Sequence, residues 1–254
     1  AALRVARRRY AETLSPRRSG MWRSHGADEW SVIDGPRFLI RHRNPAAARR
    51  VGDALEFHFD RVCRYLGRTP QTLPWEQRCE VTLHANLEAL RREANLGDAV
   101  RAVSAIRTAD GRLIAHSIQV AQDDPLLLAA TLPHELAHLA LAAAVRYRPT
   151  SAVLSEGLAL HCEPRCRAIQ FRRVPAETGG VRPAAELFAL SQIHPGNDRR
   201  FYGEAFALTE FALARIAPAE LVGVAADNAP ADALAERLGF AKASELDAAL
   251  AGER

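Results

Sequence analysis

Residues 125–145 form the most apolar stretch of the chain, yet the stretch carries three ionisable side chains, His134, Glu135 and His138. A run of this length, rich in Leu and Ala, predicts a buried helix. Carboxyl and imidazole groups are rarely placed in such a helix without a task or a partner. On a helix, positions i and i+4 share a face, so His134 and His138 can aim two imidazoles at one point. Glu135 lies beside them, where it can take a proton from a water held at that point. The pattern His-Glu-x-x-His therefore predicts a zinc site with a base beside it. Pro133 precedes the first histidine; it cannot donate to the carbonyl of Ala129 and should kink the helix.

The rest of the chain divides around this helix. Residues 30–42 predict a β-hairpin about Asp34-Gly35. Asn44-Pro45 opens a helix whose apolar positions Val51, Leu55, His58/Phe59, Val62 and Leu66 run to Gly67. A short strand follows at 80–84, then a helix at 86–95 capped by Asn86. Strands at 100–106 and 113–120 are joined by Asp110-Gly111. Beyond 124 every predicted element is a helix. The fold class is α+β: a small, mainly antiparallel N-terminal sheet with helices, then a helical C-terminal half.

A catalytic metal site needs a third protein ligand. Glu156 lies 18 residues after His138, beyond the break Arg146-Tyr147-Arg148-Pro149-Thr150, in a second predicted helix. It can complete a His2Glu set that leaves one position for water. The alternative is a first-turn glutamate favoured by the helix dipole.

His134-Glu135-x-x-His138 followed by Ser155-Glu156-Gly157-Leu158-Ala159 resembles the gluzincin clan of zinc metallopeptidases, with its thermolysin-like (peptidase MA-like) zincin fold. The resemblance covers about residues 30–250 and is specific at these two motifs. It implies a hydrolase, a protease that cleaves peptide bonds by metal-activated water with Glu135 as general base. His134, His138 and Glu156 would hold one Zn2+ per chain. Phe201-Tyr202-Gly203-Glu204-Ala205-Phe206 resembles the segment in which many members carry an oxyanion-stabilising tyrosine, here Tyr202; His194 is an alternative donor. His161 and Glu163 are candidates to support the ligands. The strand at 113–120 would be the edge strand lining the cleft, with His116 read as a surface or cross-strand residue. Relatives often carry an acidic residue four positions after the ligand glutamate, where this chain has Leu160. The alternative reading is a non-catalytic zinc-binding module of the same fold acting in protein interaction.

Composition narrows the partners. The formal charge is +4 and the basic residues are nearly all Arg, Lys242 being the only lysine. They are scattered, apart from a basic tail at Arg7, Arg8, Arg9, Arg17 and Arg18, and aromatics are few, so nucleic acid is not an expected partner. A peptide or protein substrate is. No membrane span is expected. The sequence leaves the location open between the cytoplasm and export after loss of a leader, and it leaves the oligomeric state open. Residues 1–27 read as a basic flexible arm. Residues 28–254 read as one zincin-like domain, with a sheet-containing half at 28–147 and a helical half at 148–254. Cys63, Cys79, Cys162 and Cys166 read as thiols. A Cys63–Cys79 disulfide is possible, and Cys162/Cys166 beside His161 is a weaker candidate for a second metal or redox pair.

Overall fold

The structure, a computed structural model, describes residues 23–25, 30–97, 100–190, 198–227 and 229–252. The chain forms two compact units, residues 1–62 with 75–139, and residues 63–74 with 140–254. Both divisions fall inside continuous helices, one between Val62 and Cys63, the other between Leu139 and Ala140.

The first unit holds all the described strands: β1 (Arg23–His25), β2 (Ser31–Asp34), β3 (Phe38–His42), β4 (Cys79–His84), β5 (Ala102–Ala109) and β6 (Arg112–Ala121). They form one sheet in the order β1-β2-β3-β4-β6-β5. The β1/β2, β2/β3 and β5/β6 pairs are antiparallel, whereas β3/β4 and β4/β6 are parallel. The sheet is thus mixed, more so than the hairpin signals alone suggest. The parallel pairs arise because helices, not turns, connect those strands. These are α1 (Pro45–Tyr65) between β3 and β4, and α2 (Leu87–Ala94) between β4 and β5. Of the arm expected at 1–27, Arg23–His25 is a strand paired with β2; the rest lies outside the described residues.

Local chemistry sets these boundaries. The Asn44 side chain accepts from the amides of Ala46 and Ala47 and starts α1. Asn86 does the same for α2 through Ala89. Asp110 and Gly111, both left-handed (φ 51° and 71°), close the β5/β6 hairpin. Alternate residues of β3 and β4 (Phe38, Ile40, Cys79, Val81 and Leu83) are buried together. Phe38, Phe59 and Trp75 form an aromatic cluster, and Trp75 lies against His116 with ring centroids 4.3 Å apart.

The expected edge strand is elsewhere. β6 runs between β4 and β5, so β5 is the edge. The two-residue hairpin decides this, because it folds β5 back on the open side of β6. Nor is His116 a surface residue: it is buried and its Nε2 donates to the Gln77 carbonyl at 2.9 Å.

The helix carrying the motif is α3 (Leu132–Ala144). It begins in the first unit and ends in the second. Together with the turn before it, the stretch Leu127–Ala144 is long and apolar enough to cross a membrane by composition, but 67% of it is buried in the fold, as in a core helix.

The second unit is helical: α4 (Ala152–Cys162), α5 (Arg165–Arg172), α6 (Val174–Glu177), α7 (Ala184–Ala189), α8 (Asp198–Leu213), α9 (Pro218–Ala225), α10 (Pro230–Arg237) and α11 (Ala243–Gly252). α4 and α8 pack closely at Gly157. A Cβ there would stand 1.9 Å from the Thr209 hydroxyl and 2.6 Å from the Ala205 carbonyl oxygen. Glu204, fully buried on α8, is satisfied by the guanidinium groups of Arg182 and Arg200. All four cysteines are free thiols, Cys166 exposed and the others buried. The Cys63–Cys79 disulfide is therefore not formed.

Candidate functional site

The approach to α3 departs from ordinary helix geometry. Residues Leu127–Thr131 wind as a π-helix, in which each amide reaches five residues back. Thr131 donates to the Leu126 carbonyl, and Leu132 to that of Leu127. Asp124 holds the start of this turn. Its buried carboxylate accepts from the Leu126 amide, from the Thr131 hydroxyl and from Arg101. Pro133 then falls at the second position of α3, where a missing N–H removes little. The expected kink is thus taken up before the proline, as a change of register from π to α. The Leu128 carbonyl accepts a bond of 2.8 Å from His58 Nε2 on α1.

Past that register change the pattern does what its spacing predicts. His134 and His138 present Nε2 atoms 3.1 Å apart, with ring centroids 4.8 Å apart and planes at 78°. Both rings are half-buried, while Glu135 between them is 8% exposed. Leu132, Leu136, Leu139 and Ala140 are buried and hold the helix in the core.

Glu156 stands on α4, in its second turn, so it is not the first-turn glutamate of the alternative reading. His134, His138 and Glu156 are all of residue types that ligate zinc, and all three are half-buried.

The remaining sequence candidates engage their own unit. Tyr202, on α8, packs beside Phe171 and Phe201. His161 stacks on Phe206, with centroids 4.5 Å apart and planes at 6°; burial lowers its pKa. Glu163 accepts from Arg167 Nε at 2.9 Å. Leu160, at the position where gluzincins often carry an acidic residue, is buried. His194 lies outside the described residues.

Sequence reasoning passed over His58 and Asp124 as contributors. His58 occupied an apolar position of the α1 stripe, and Asp124 carried no reading beyond standing where the helical half begins. The available signal was a histidine in an otherwise apolar stripe combined with a proline inside another helix. Comparison of the chain with protein-family models, with curated proteins and with solved structures returns no match.

Proposed function

We propose that the chain is a zinc-dependent metallopeptidase of the gluzincin type, with a thermolysin-like, zincin-like fold, and that it hydrolyses peptide bonds in a peptide or protein substrate. The observation that carries this reading is the pair of Nε2 atoms 3.1 Å apart, on the helix that also carries the buried Glu135. In this reading Glu156, half-buried on α4, is the third ligand. Two imidazole nitrogens on one tetrahedral zinc ion, each at about 2.0–2.1 Å, stand about 3.3 Å apart, so the donors fit zinc in spacing as well as in type. A carboxylate adjacent to two metal-binding histidines also distinguishes this arrangement from a purely structural site, which has no use for a base.

In this reading His134, His138 and Glu156 hold the ion. When bound, zinc polarises the scissile carbonyl and makes water acidic enough to attack near neutral pH. Glu135 takes the proton from the attacking water and passes it to the leaving amine. Tyr202 donates a hydrogen bond to the oxyanion.

The test is metal analysis combined with mass-spectrometric profiling of a peptide library, on the parent and on Glu135→Gln. About one zinc per chain is expected in both. Cleavage in the parent should be abolished by a chelator, and the variant should be slower by about 10²–10⁴-fold. Equal cleavage by the two proteins would sink the assignment of the base. Full zinc occupancy with no cleavage by the parent would leave the non-catalytic module as the reading.

A further inference from the structure

We infer that His58 is a positioning residue for the His134/His138 pair: by donating Nε2–H to the Leu128 carbonyl, it holds the π register from which α3 starts. The inference rests on the metal-site reading above for its consequence, but not for its geometry. The acceptor is a carbonyl oxygen, so the ring must be the donor. That assigns the Nε2–H tautomer.

In an α-helix the Leu128 carbonyl would receive the amide of residue 132; in a π-helix it would receive that of residue 133. Here Leu132 donates to Leu127, and residue 133 is a proline with no N–H to give. His58 supplies the donor from α1, inside the same compact unit. The bond is part-buried, and a carbonyl that loses its donor there is penalised enough to change a local register.

The alternative register is specific. If Leu132 turned its amide to Leu128, the extra residue of the π turn would be lost. The residues after it would then rotate by about 100° and shift by about 1.5 Å relative to those before. A hundred-degree rotation takes two side chains on one face of α3 away from where they point. His58 thus acts on His134 through six residues of backbone, without touching the pair. Burial lowers its pKa from 6.5 to about 3, with Arg61 acting in the same direction, so the ring stays neutral with a single donor.

Three variants test this. His58→Phe keeps a buried ring and removes the donor. His58→Gln keeps an N–H near the Nε2 position. His58→Phe/Pro133→Ala returns an amide to residue 133 and with it an in-helix donor for Leu128. The first readout needs no metal: scalar couplings across hydrogen bonds report which carbonyl the Leu132 amide serves. Leu127 is expected in the parent, in His58→Gln and in the double variant, and Leu128 in His58→Phe. The second readout is zinc affinity by chelator competition, with the visible spectrum of the Co2+-loaded protein. A loss of about 10–100-fold is expected in His58→Phe, with a changed Co2+ spectrum, and recovery in the other two. Should His58→Phe not fold, the parent coupling and the His58→Gln affinity carry the test. A Leu132 coupling that stays on Leu127 in His58→Phe, or zinc affinity and spectrum unchanged in that variant, overturns the inference. So does a coupling to Leu128 in the parent, or a His58→Gln protein that has lost zinc affinity. A parent that binds no zinc fails the metal reading instead, while the coupling measurement still decides the role of His58.

Discussion

The two histidines and Glu156 are held by different kinds of force. The segment that delivers His134 and His138 is organised by directed hydrogen bonds: Asp124 to Leu126, Thr131 and Arg101, and His58 to Leu128. The helix that carries Glu156 is organised by contact. Gly157 lets α4 lie against Thr209 and the Ala205 backbone of α8 with no room for a methyl group. Directed bonds fix rotation and register but depend on protonation and on every donor being present. Close contact is indifferent to pH but intolerant of volume.

The largest effect should come from volume on the α4 side. Gly157→Ala must push α8 back, since one clashing atom is backbone that cannot rotate aside. A loss of about 3 kcal/mol or more in denaturant unfolding is expected. Thr209→Ala in the same protein should recover only part of it, because the Ala205 carbonyl remains. Full recovery would mean that the packing is looser than the backbone contact implies.

The α3 side should respond to removal of an acceptor. Asp124→Ala leaves the Thr131 hydroxyl, the Leu126 amide and Arg101 without this acceptor, at a cost of about 2 kcal/mol. Hydrogen exchange should speed at 126–132 before it does so in α4. Uniform acceleration across both segments would erase the contrast drawn here.

The most gradual effect is on pH dependence. Burial lowers the pKa of His42, His58 and His116 in the first unit, and of His161 in the second. A histidine with a depressed folded pKa binds fewer protons folded than unfolded, so acid favours unfolding. The effect is absent above pH 6.5 and grows below it, for His58 down to about pH 3. Its slope is at most about 1.4 kcal/mol per pH unit for each such group. The urea midpoint should be lower at pH 5 than at pH 7, and His58→Gln should flatten the dependence. An unchanged slope in that variant would mean that His58 already carries its proton in the fold.

Much of the site could be read from the residues alone. The spacing of His134 and His138 specifies one helix face whatever surrounds the helix, because 3.6 residues per turn is a property of the backbone. The hairpin at Asp110-Gly111 and the cap at Asn86 are equally local, since the turn and the cap need those residue types. Strand order was not readable that way. The two parallel pairings bring together strands distant in sequence, and β5 rather than β6 became the edge. Of the two readings of His116 the cross-strand one holds, opposite Ile106; its burial could not be read locally, because Trp75, which lies against it, comes from a loop some forty residues away.

Pro133 marks where the two kinds of information meet. By itself the sequence determined that one amide would be missing directly before the first histidine, because proline has no N–H. It also determined the face that His134 and His138 share. Tertiary structure alone decided how the missing amide is accommodated. A π turn takes up the mismatch, and a histidine from a helix some seventy residues earlier supplies the Leu128 carbonyl. The physical reason is that an intrahelical bond is set by nearest neighbours in the chain, whereas an exchanged donor is set by whatever the packed core brings within 3 Å.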